Sequence, residues 1–355
     1  MTSFNNNDKF TRITLFGEKL SANIIRCNLC PHNCVIHEGK TGICKVRINQ
    51  QGELFTSAYG NPCSLSIDPM EKKPLFHFLP GTTIFSLATA GCNFRCLNCQ
   101  NSSISQTTPN KIQHYNLSPE DVVEQALIRN TKSIAFTYTE PTVFYEYMLD
   151  TAKIAHQKGI KTVIVSNGYI NKEPLLELLQ YIDAANIDLK CFDDHIYRQL
   201  TGGSLKPVLE TLITLRESKV WLEITNLLIP EYNDSKEEIK ELCNWLVENG
   251  FSETPLHFSR FFPAYKLNNL SPTTESTLMM AKEIAEHAGL KYVYIGNIPT
   301  LHGENTYCPH CKELLIERKA YVLSKNHIVN GKCKYCGETI NGIWSPPTPE
   351  GEWVD

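Results

Sequence analysis

The sequence predicts an α/β protein built on parallel strands, with a small cysteine-rich module at each end. Short apolar runs alternate with helical sequence at intervals of roughly thirty residues, the spacing of right-handed βαβ crossovers. Metal-spaced cysteines gather before residue 50 and again after residue 300. We therefore divide the chain into segments 1–80, 81–300 and 301–355.

Six runs in the middle segment have the length and the composition of buried strands. They are residues 83–89, 133–138, 161–165, 184–189, 220–228 and 255–260. Helix starts are predicted at Ser118, which precedes Pro119 and two acidic residues, and at Ser235, which forms a capping-box pattern with Glu238. Periodicity alone allows an open doubly wound sheet or a partial barrel. In either fold, functional residues gather at the carboxyl ends of the strands.

Composition excludes several classes of function. Among 355 residues, Lys and Arg (34) are outnumbered by Asp and Glu (38), and no basic run occurs, so nucleic acid is not an expected partner. The N-terminus lacks an apolar signal core and no stretch reaches membrane-spanning length, so we expect a cytoplasmic protein with no membrane partner. In that reducing compartment, the 14 cysteines are expected to be metal ligands and not disulfides.

The N-terminal cysteines predict one four-thiolate metal site. The ligands are Cys27, Cys30, Cys34 and Cys44, with prolines and glycines between them. Zinc and a second iron–sulfur cluster both suit four thiolates, and the sequence does not choose between them. In one alternative, His32 or His37 replaces one of the thiols as a ligand. In the other, the four thiols are independent and bind no shared metal.

The C-terminal cysteines predict a zinc-ribbon-like module. Two Cys-x-x-Cys knuckles are separated by 21 residues and consist of Cys308, Cys311, Cys333 and Cys336. Rubredoxin-like iron is the alternative metal. His310 and His327 are not expected to be ligands, because four thiols already complete a tetrahedron. A Pro-rich tail follows Trp344, and Cys63, Cys191 and Cys243 have no predicted role.

Three further cysteines follow the first predicted strand and predict the catalytic centre. Cys92, Cys96 and Cys99 are spaced by three and then two intervening residues, and thiolates are the ligands that iron–sulfur clusters take. With three ligands nearby, one iron of a 4Fe-4S cluster stays open, as catalytic metal sites require. A structural zinc site with a fourth ligand from elsewhere, and three unrelated thiols, are the alternatives.

Polar residues recur where the next predicted strands end. Glu140 follows the second strand, Asn167 the third, and Asp188 and Lys190 end the fourth. Packing does not explain polar side chains that recur at one end of apolar strands, so these four residues are predicted to line the site.

Residues 70–81, which hold two prolines, are predicted to lie extended against the main domain, with Lys72 and Lys73 in solvent.

Together these motifs resemble the radical S-adenosylmethionine (radical SAM) superfamily. The cysteine triplet, Thr-Glu-Pro at 139–141, Ser-Asn-Gly at 166–168 and Asp-Leu-Lys at 188–190 resemble pyruvate formate-lyase activating enzymes. Cys-x-x-Cys-Pro-His-x-Cys at 27–34, Glu-Lys-Lys-Pro-Leu-Phe-His-Phe at 71–78 and Gly-Glu-Asn-Thr-Tyr-Cys-Pro at 303–309 resemble the radical SAM proteins of the AmmeMemoRadiSam system. The resemblance implies a partial (β/α)6 barrel of the TIM-like type.

The resemblance also implies a function. S-adenosylmethionine is expected to bind the open iron, with its amino group held by Glu140 and its pocket lined by Asn167, Asp188 and Lys190. Its reductive cleavage yields a 5′-deoxyadenosyl radical that abstracts hydrogen from a substrate, which in activases belongs to a partner protein. A low-potential electron donor is required. The alternative is a non-catalytic iron–sulfur and zinc protein for electron transfer or for scaffolding.

Three positions depart from the pattern of those families. Asn98 occupies the position before the last cysteine, where many members have an aromatic residue that flanks the adenine. Val165 replaces an acid that helps to hold a monovalent cation, and Glu223 replaces a basic residue on the fifth strand. The substrate side of the pocket is therefore expected to differ from that of the activating enzymes.

Overall fold

The computed structural model describes residues 9–298 and 303–344. Most of the polar N-terminus and the Pro-rich tail after Trp344 lie outside the described residues. Among the described residues, no helix is both long and apolar enough to cross a membrane.

The N-terminal segment forms two small antiparallel sheets. Its six strands are β1 (Arg12–Ile13), β2 (Gly17–Ser21), β3 (Ile24–Cys27), β4 (Val35–His37), β5 (Arg47–Gln50) and β6 (Glu53–Thr56). They are ordered β1-β6-β5 and β2-β3-β4. Ile25, Ile36 and Leu54 are buried in the same apolar cluster as the helices of the main domain. This segment therefore depends on the main domain for its core.

Eight strands form the main sheet. They are β7 (Ser64–Pro69), β8 (Thr83–Ala88), β9 (Ser133–Phe136), β10 (Lys161–Ser166), β11 (Ala184–Asp188), β12 (Trp221–Leu228), β13 (Leu256–Arg260) and β14 (Val293–Gly296). All six predicted strands are present and mutually parallel. Two strands were not predicted: β14 extends the parallel set, and β7 pairs antiparallel with β8.

Helices connect the parallel strands. They are α1 (Ser102–Ser105), α2 (Pro119–Ile128), α3 (Tyr145–Gln157), α4 (Lys172–Leu178), α5 (Asp194–Thr201), α6 (Leu205–Arg216), α7 (Lys236–Glu248) and α8 (Glu275–Ala288). Strand order follows chain order from β7 to β14 without reversal. Right-handed crossovers then place every helix on one face of the sheet, whereas a doubly wound sheet needs a reversal. The fold is a partial (β/α) barrel, as predicted, with β7 and β14 at its edges.

Both predicted helix starts are present, although one capping box is incomplete. Ser118 and Asp121 exchange both bonds of the capping box at the start of α2. Ser235 accepts from the Glu238 backbone N–H at the start of α7. The Glu238 carboxylate instead accepts from the backbone N–H of Phe192 at 2.7 Å, and thereby ties α7 to the loop after β11.

Residues 70–80 fill the interior of the barrel. Met70, Leu75 and Phe78 share an apolar cluster with residues of the parallel strands, among them Ile84 and Val163. The Asn186 side chain of β11 donates to the Pro74 carbonyl at 2.8 Å. The prediction that Lys73 is solvated was wrong, because its side chain is 3% exposed and its Nζ lies 2.6 Å from Asp68 Oδ2.

The C-terminal segment covers this interior stretch from the other side. Its strands are β15 (Thr306–Tyr307), β16 (Leu314–Lys319), β17 (Val322–Asn326), β18 (Ile328–Val329) and β19 (Lys332–Cys333). Phe76 packs in one cluster with Tyr292 and Tyr294 near the sheet edge and with Leu315 and Ile316 of β16. The buried guanidinium of Arg318 donates to the Phe76 carbonyl at 2.7 Å. The segment is thus joined to the barrel through residues 70–80.

Candidate active site

The loop that carries the cysteine triplet is fixed by backbone contacts on several sides. The N–H groups of Arg95 and Leu97 donate to the carbonyls of Thr201 and Leu200 at the end of α5, at 2.7 and 2.9 Å. Phe94 is buried, and a Cβ at Gly203 would lie 2.2 Å from its ring, so only glycine fits there. Gly91, with φ +106°, packs its Cα against Val46 of the N-terminal segment.

Each cysteine of the triplet lies in a different environment. The Phe94 backbone N–H donates to Cys92 Sγ at 3.3 Å, and Cys99 Sγ lies 3.1 Å from Ser105 Oγ. Burial raises the pKa of the Cys96 thiol to about 11, although the Lys190 ammonium opposes this. Burial also raises the pKa of the Cys92 thiol. Protein charges alone therefore do not make the thiols of Cys92 and Cys96 thiolates at neutral pH, whereas a bound metal centre would.

Glu140 links the second and third strands of the parallel set. Its Oε1 accepts from the backbone N–H and the hydroxyl of Thr142 at 3.0 and 2.8 Å, and from Ser166 Oγ at 2.8 Å. Its Oε2 accepts from the Asn167 backbone N–H at 2.8 Å. Burial raises the pKa of Glu140, and these donors oppose the rise. The carboxylate thus holds the loop after β10 in place while it also lines the cavity.

The other predicted residues interact with one another and with the triplet loop. Asn167 Nδ2 donates to Asn93 Oδ1 at 2.8 Å, and Asn93 follows Cys92 in the triplet loop. Lys190 Nζ lies 2.7 Å from Asp188 Oδ2. Burial disfavours the Lys190 ammonium, but the Asp188 carboxylate and the nearby thiols outweigh this and raise its pKa. Lys190 is therefore a cation beside the cysteines.

All seven predicted residues line one cavity with about 1380 Å³ of empty space, part of it open to solvent. They are Cys92, Cys96, Cys99, Glu140, Asn167, Asp188 and Lys190. The cavity lies at the carboxyl ends of the parallel strands, where barrels place their functional residues.

Sequence reasoning missed several residues of this cavity. His257 and Ser259 stand two residues apart on β13, and this alternation was a usable signal that they share the inner face. Glu304 and Tyr321 come from the C-terminal segment, and Glu71 and Lys72 from the interior stretch. No local pattern could have predicted those four, since the positions of their segments depend on long-range packing.

The structure explains one of the three departures. Glu223 accepts from the backbone N–H groups of Phe76 and His77 at 3.0 and 2.7 Å, from the Trp221 indole at 3.0 Å, and contacts His257 Nε2 at 2.7 Å. It thus holds the interior stretch. Asn98 lines the cavity, and its buried Oδ1 has no hydrogen-bond partner within residues 9–298 and 303–344. Val165 also lines the cavity.

The two outer cysteine groups differ in geometry. Among residues 9–298 and 303–344, Cys308, Cys311, Cys333 and Cys336 are the one group of three or more candidate ligands whose ligand atoms all lie within 4.8 Å of one another. Cys27, Cys30, Cys34 and Cys44 surround a second cavity. Of the cysteines without a predicted role, Cys191 and Cys243 are buried and Cys63 is partly buried.

Comparison with known proteins identifies the family. The family model described as the radical SAM superfamily matches residues 86–246. An uncharacterized protein of Methanocaldococcus jannaschii is 49% identical over 335 residues, which cover 93% of this chain and 99% of that protein. The pyruvate formate-lyase 1-activating enzyme of Escherichia coli K12 is 26% identical over 218 residues, 58% of this chain and 89% of the enzyme.

A second activating enzyme aligns over a similar part of the chain. The 4-hydroxyphenylacetate decarboxylase activating enzyme of Clostridium scatologenes is 28% identical over 223 residues, 60% of this chain and 69% of that enzyme. The residues matched by the family model include the triplet loop and the ends of β8 to β12 that line the cavity. Residues 86–246 of this chain therefore form a radical SAM domain, and the chain is homologous to the pyruvate formate-lyase activating enzymes.

Proposed function

We propose that this protein reductively cleaves S-adenosylmethionine at a 4Fe-4S cluster and uses the radical to take a hydrogen atom from a substrate. One observation carries the proposal: the three cysteines of the triplet line the same cavity as the strand-end residues Glu140, Asp188 and Lys190. A metal-binding thiol set thus lies beside both an anionic and a cationic group.

The triplet suits a cluster better than a single ion. Ligands of one small ion lie close to one another. Within the described residues, the three sulfurs of the triplet do not all lie within 4.8 Å of one another. The N–H of Phe94 stabilises negative charge on Cys92 Sγ, and the Lys190 ammonium does so for Cys96. When bound, the cluster and S-adenosylmethionine supply the electron and the 5′-deoxyadenosyl radical.

The remaining polar groups match the parts of S-adenosylmethionine. Glu140 Oε1 already accepts three hydrogen bonds, but Oε2 accepts one and keeps a lone pair for an ammonium. Lys190, oriented by Asp188, is a cation for the carboxylate. The unpartnered Oδ1 of Asn98 is an acceptor for the adenine amino group, in place of an aromatic contact.

We further propose that the hydrogen donor belongs to a partner protein. The named relatives are activating enzymes of other proteins, which supports an activase-like role. The cavity is partly open to solvent, and the lining residues Lys72 and Tyr321 are exposed, which supports access of a chain segment to the triplet. An external low-potential one-electron donor supplies the electron.

The C-terminal site is proposed to hold a structural zinc ion. Cys308 and Cys336 sulfurs lie 3.6 Å apart, and those of Cys311 and Cys333 lie 3.7 Å apart. A zinc–sulfur bond of about 2.3 Å places the sulfurs of a tetrahedral site about 3.8 Å apart, so the geometry suits one such ion.

The test of the main proposal is formation of 5′-deoxyadenosine. Protein reconstituted anaerobically with iron and sulfide is mixed with dithionite and S-adenosylmethionine, and products are measured by mass spectrometry. The parent is expected to form 5′-deoxyadenosine, the variant with Cys92, Cys96 and Cys99 changed to Ala is expected to form none, and the control Cys243→Ala should match the parent. Product from the triple variant, or none from the parent, would reject the proposal. In the second case, a parent that accepts and releases electrons would support the non-catalytic alternative.

A further inference from the structure

We propose that Cys27, Cys30, Cys34 and Cys44 hold a second iron–sulfur cluster, not a zinc ion. All four line a cavity between the N-terminal sheets and the triplet loop, whose empty space of about 370 Å³ includes open solvent. Four thiolates complete the ligand set of a 4Fe-4S cluster, so no iron would stay open here. The inference does not depend on the function proposed for the triplet.

The spacing of the sulfur atoms favours a cluster. A tetrahedral zinc site brings its sulfurs to about 3.8 Å from one another, whereas a cluster spreads its ligands over four separate irons. The C-terminal cysteines of this chain show the single-ion spacing, at 3.6 and 3.7 Å for two pairs. In the part of the chain that the structure describes, no three of the N-terminal sulfurs lie mutually within 4.8 Å. One chain therefore contains both a close and a wide arrangement of four thiols.

The backbone holds the wide arrangement through its own hydrogen bonds. Cys27 ends β3, and its N–H donates to the Cys34 carbonyl at 2.9 Å just before β4. Cys30 lies in the turn between these strands, closed by the Asn33 N–H at 3.0 Å from the Cys30 carbonyl. Cys44 lies in the turn before β5, closed by the Lys45 N–H at 3.0 Å from the Gly42 carbonyl. Strand pairing and turns thus place the thiols around the cavity.

A buried arginine on the cavity wall lacks one hydrogen-bond partner. Arg47 is 1% exposed, and its Nη2 lies 2.7 Å from Glu146 Oε2 in a buried ion pair. Its Nε has no hydrogen-bond partner among the residues that the structure describes. An unsatisfied buried N–H is costly, and a sulfur acceptor in the cavity would satisfy it. Because Arg47 lines this cavity, an acceptor bound there is a candidate partner for Nε.

The cavity shares a wall with the active-site cavity. Asn93 and Thr142 line the N-terminal cavity. Asn93 lies between Cys92 and Phe94 in the triplet loop, and both Thr142 donors bond to Glu140. The His32 ring, also on this wall, contacts the Asn93 carbonyl at 2.8 Å through Nε2. The triplet loop and the segment after Glu140 thus separate the two cavities.

The test leaves the four N-terminal cysteines intact and removes the triplet. The full chain with Cys92, Cys96 and Cys99 changed to Ala is reconstituted anaerobically with iron, sulfide and equimolar zinc. Iron, acid-labile sulfide and zinc per chain are then measured, with Mössbauer spectra. We expect about four irons and four sulfides in a 4Fe-4S spectrum, together with about one zinc at the C-terminal site. The parent should hold about four more irons if the triplet also binds a cluster.

Two further variants locate the remaining iron. Adding Cys30→Ser to the triple variant should remove most of it, whereas adding the control Cys63→Ser should leave the iron content unchanged. The inference is overturned if the triple variant contains about two zincs and no iron, or if its N-terminal site contains neither metal. It is also overturned if adding Cys30→Ser and adding Cys63→Ser remove the same amount of iron. The metal content of the triple variant decides the matter even if the Cys30 variant fails to fold. Failure of the triplet proposal would appear separately, as equal iron in the parent and the triple variant.

Discussion

Replacing Glu140 by Gln tests whether this carboxylate binds substrate or serves only as a structural brace. An amide oxygen can take the place of Oε1 and accept from Thr142 and Ser166. The amide nitrogen then faces the Asn167 backbone N–H, which lies 2.8 Å from Oε2 in the parent. Two donors that face each other leave a buried N–H unsatisfied, at a cost of about 1–3 kcal/mol in unfolding free energy. The variant should therefore be less stable than the parent.

The same substitution should also weaken binding of S-adenosylmethionine. Loss of a charge-assisted hydrogen bond to the ammonium costs about 1.5–3 kcal/mol, which is roughly ten- to a hundredfold in Kd. The assay is equilibrium dialysis of S-adenosylmethionine under anaerobic conditions, with protein matched for iron content, and urea unfolding in parallel. Ser166→Ala is the matched control, because it removes one donor to Oε1 and keeps the charge. It should lower stability by about 1 kcal/mol and change Kd less than about threefold. A Gln variant that is destabilised but binds as tightly as the parent would show that Glu140 acts only as a brace.

Three further predictions address the rest of the molecule. Cys311→Ala should lower the zinc content from about one per chain to near zero and unfold the C-terminal segment, because metal binding drives the folding of such small modules. The visible absorption of the triplet cluster should stay unchanged. Equal loss of zinc and cluster in folded protein would argue against separate sites. Glu223→Gln should lower the urea-unfolding free energy by about 2–5 kcal/mol, since a fully buried carboxylate with four partners loses half of its acceptor capacity; a loss below about 1 kcal/mol would contradict this reasoning. Burial raises the pKa of Glu304 from 4.5 to about 7, so the folded state keeps a proton that the unfolded state releases, and its contribution to stability falls as pH rises from about 5 to 7. In Glu304→Gln the decline of Tm over that range should be smaller than in the parent, and an identical profile would refute the assignment.

The sequence predicted the parts of the fold that depend on local pattern. Alternating apolar and helical runs gave six strands at their observed positions, and Ser118 began a helix as its capping residues required. Polar residues after successive strands met in one cavity because parallel strands end at a common edge. The edge strands β7 and β14 were missed, since β7 is rich in polar residues and ends in a proline, and β14 has only four residues.

Contacts between distant segments decided the rest. The sequence of 70–81 reads as an extended surface segment, yet it fills the barrel, and Lys73 is buried because Asp68 supplies its counter-charge. Glu140 was predicted to hold the amino group of S-adenosylmethionine. Of the four hydrogen bonds that also make it a structural brace, two come from nearby Thr142, and two come from Ser166 and Asn167, which strand pairing brings close.

The sequence by itself determined which thiols belong together. Ligand spacing along the chain limits which cysteines can reach one metal centre, and this limit is local. Only the tertiary structure decided how far apart the sulfurs lie. That distance is set by strand pairing, turns and packing around each group, and it separates the closely spaced C-terminal thiols from the widely spaced N-terminal ones.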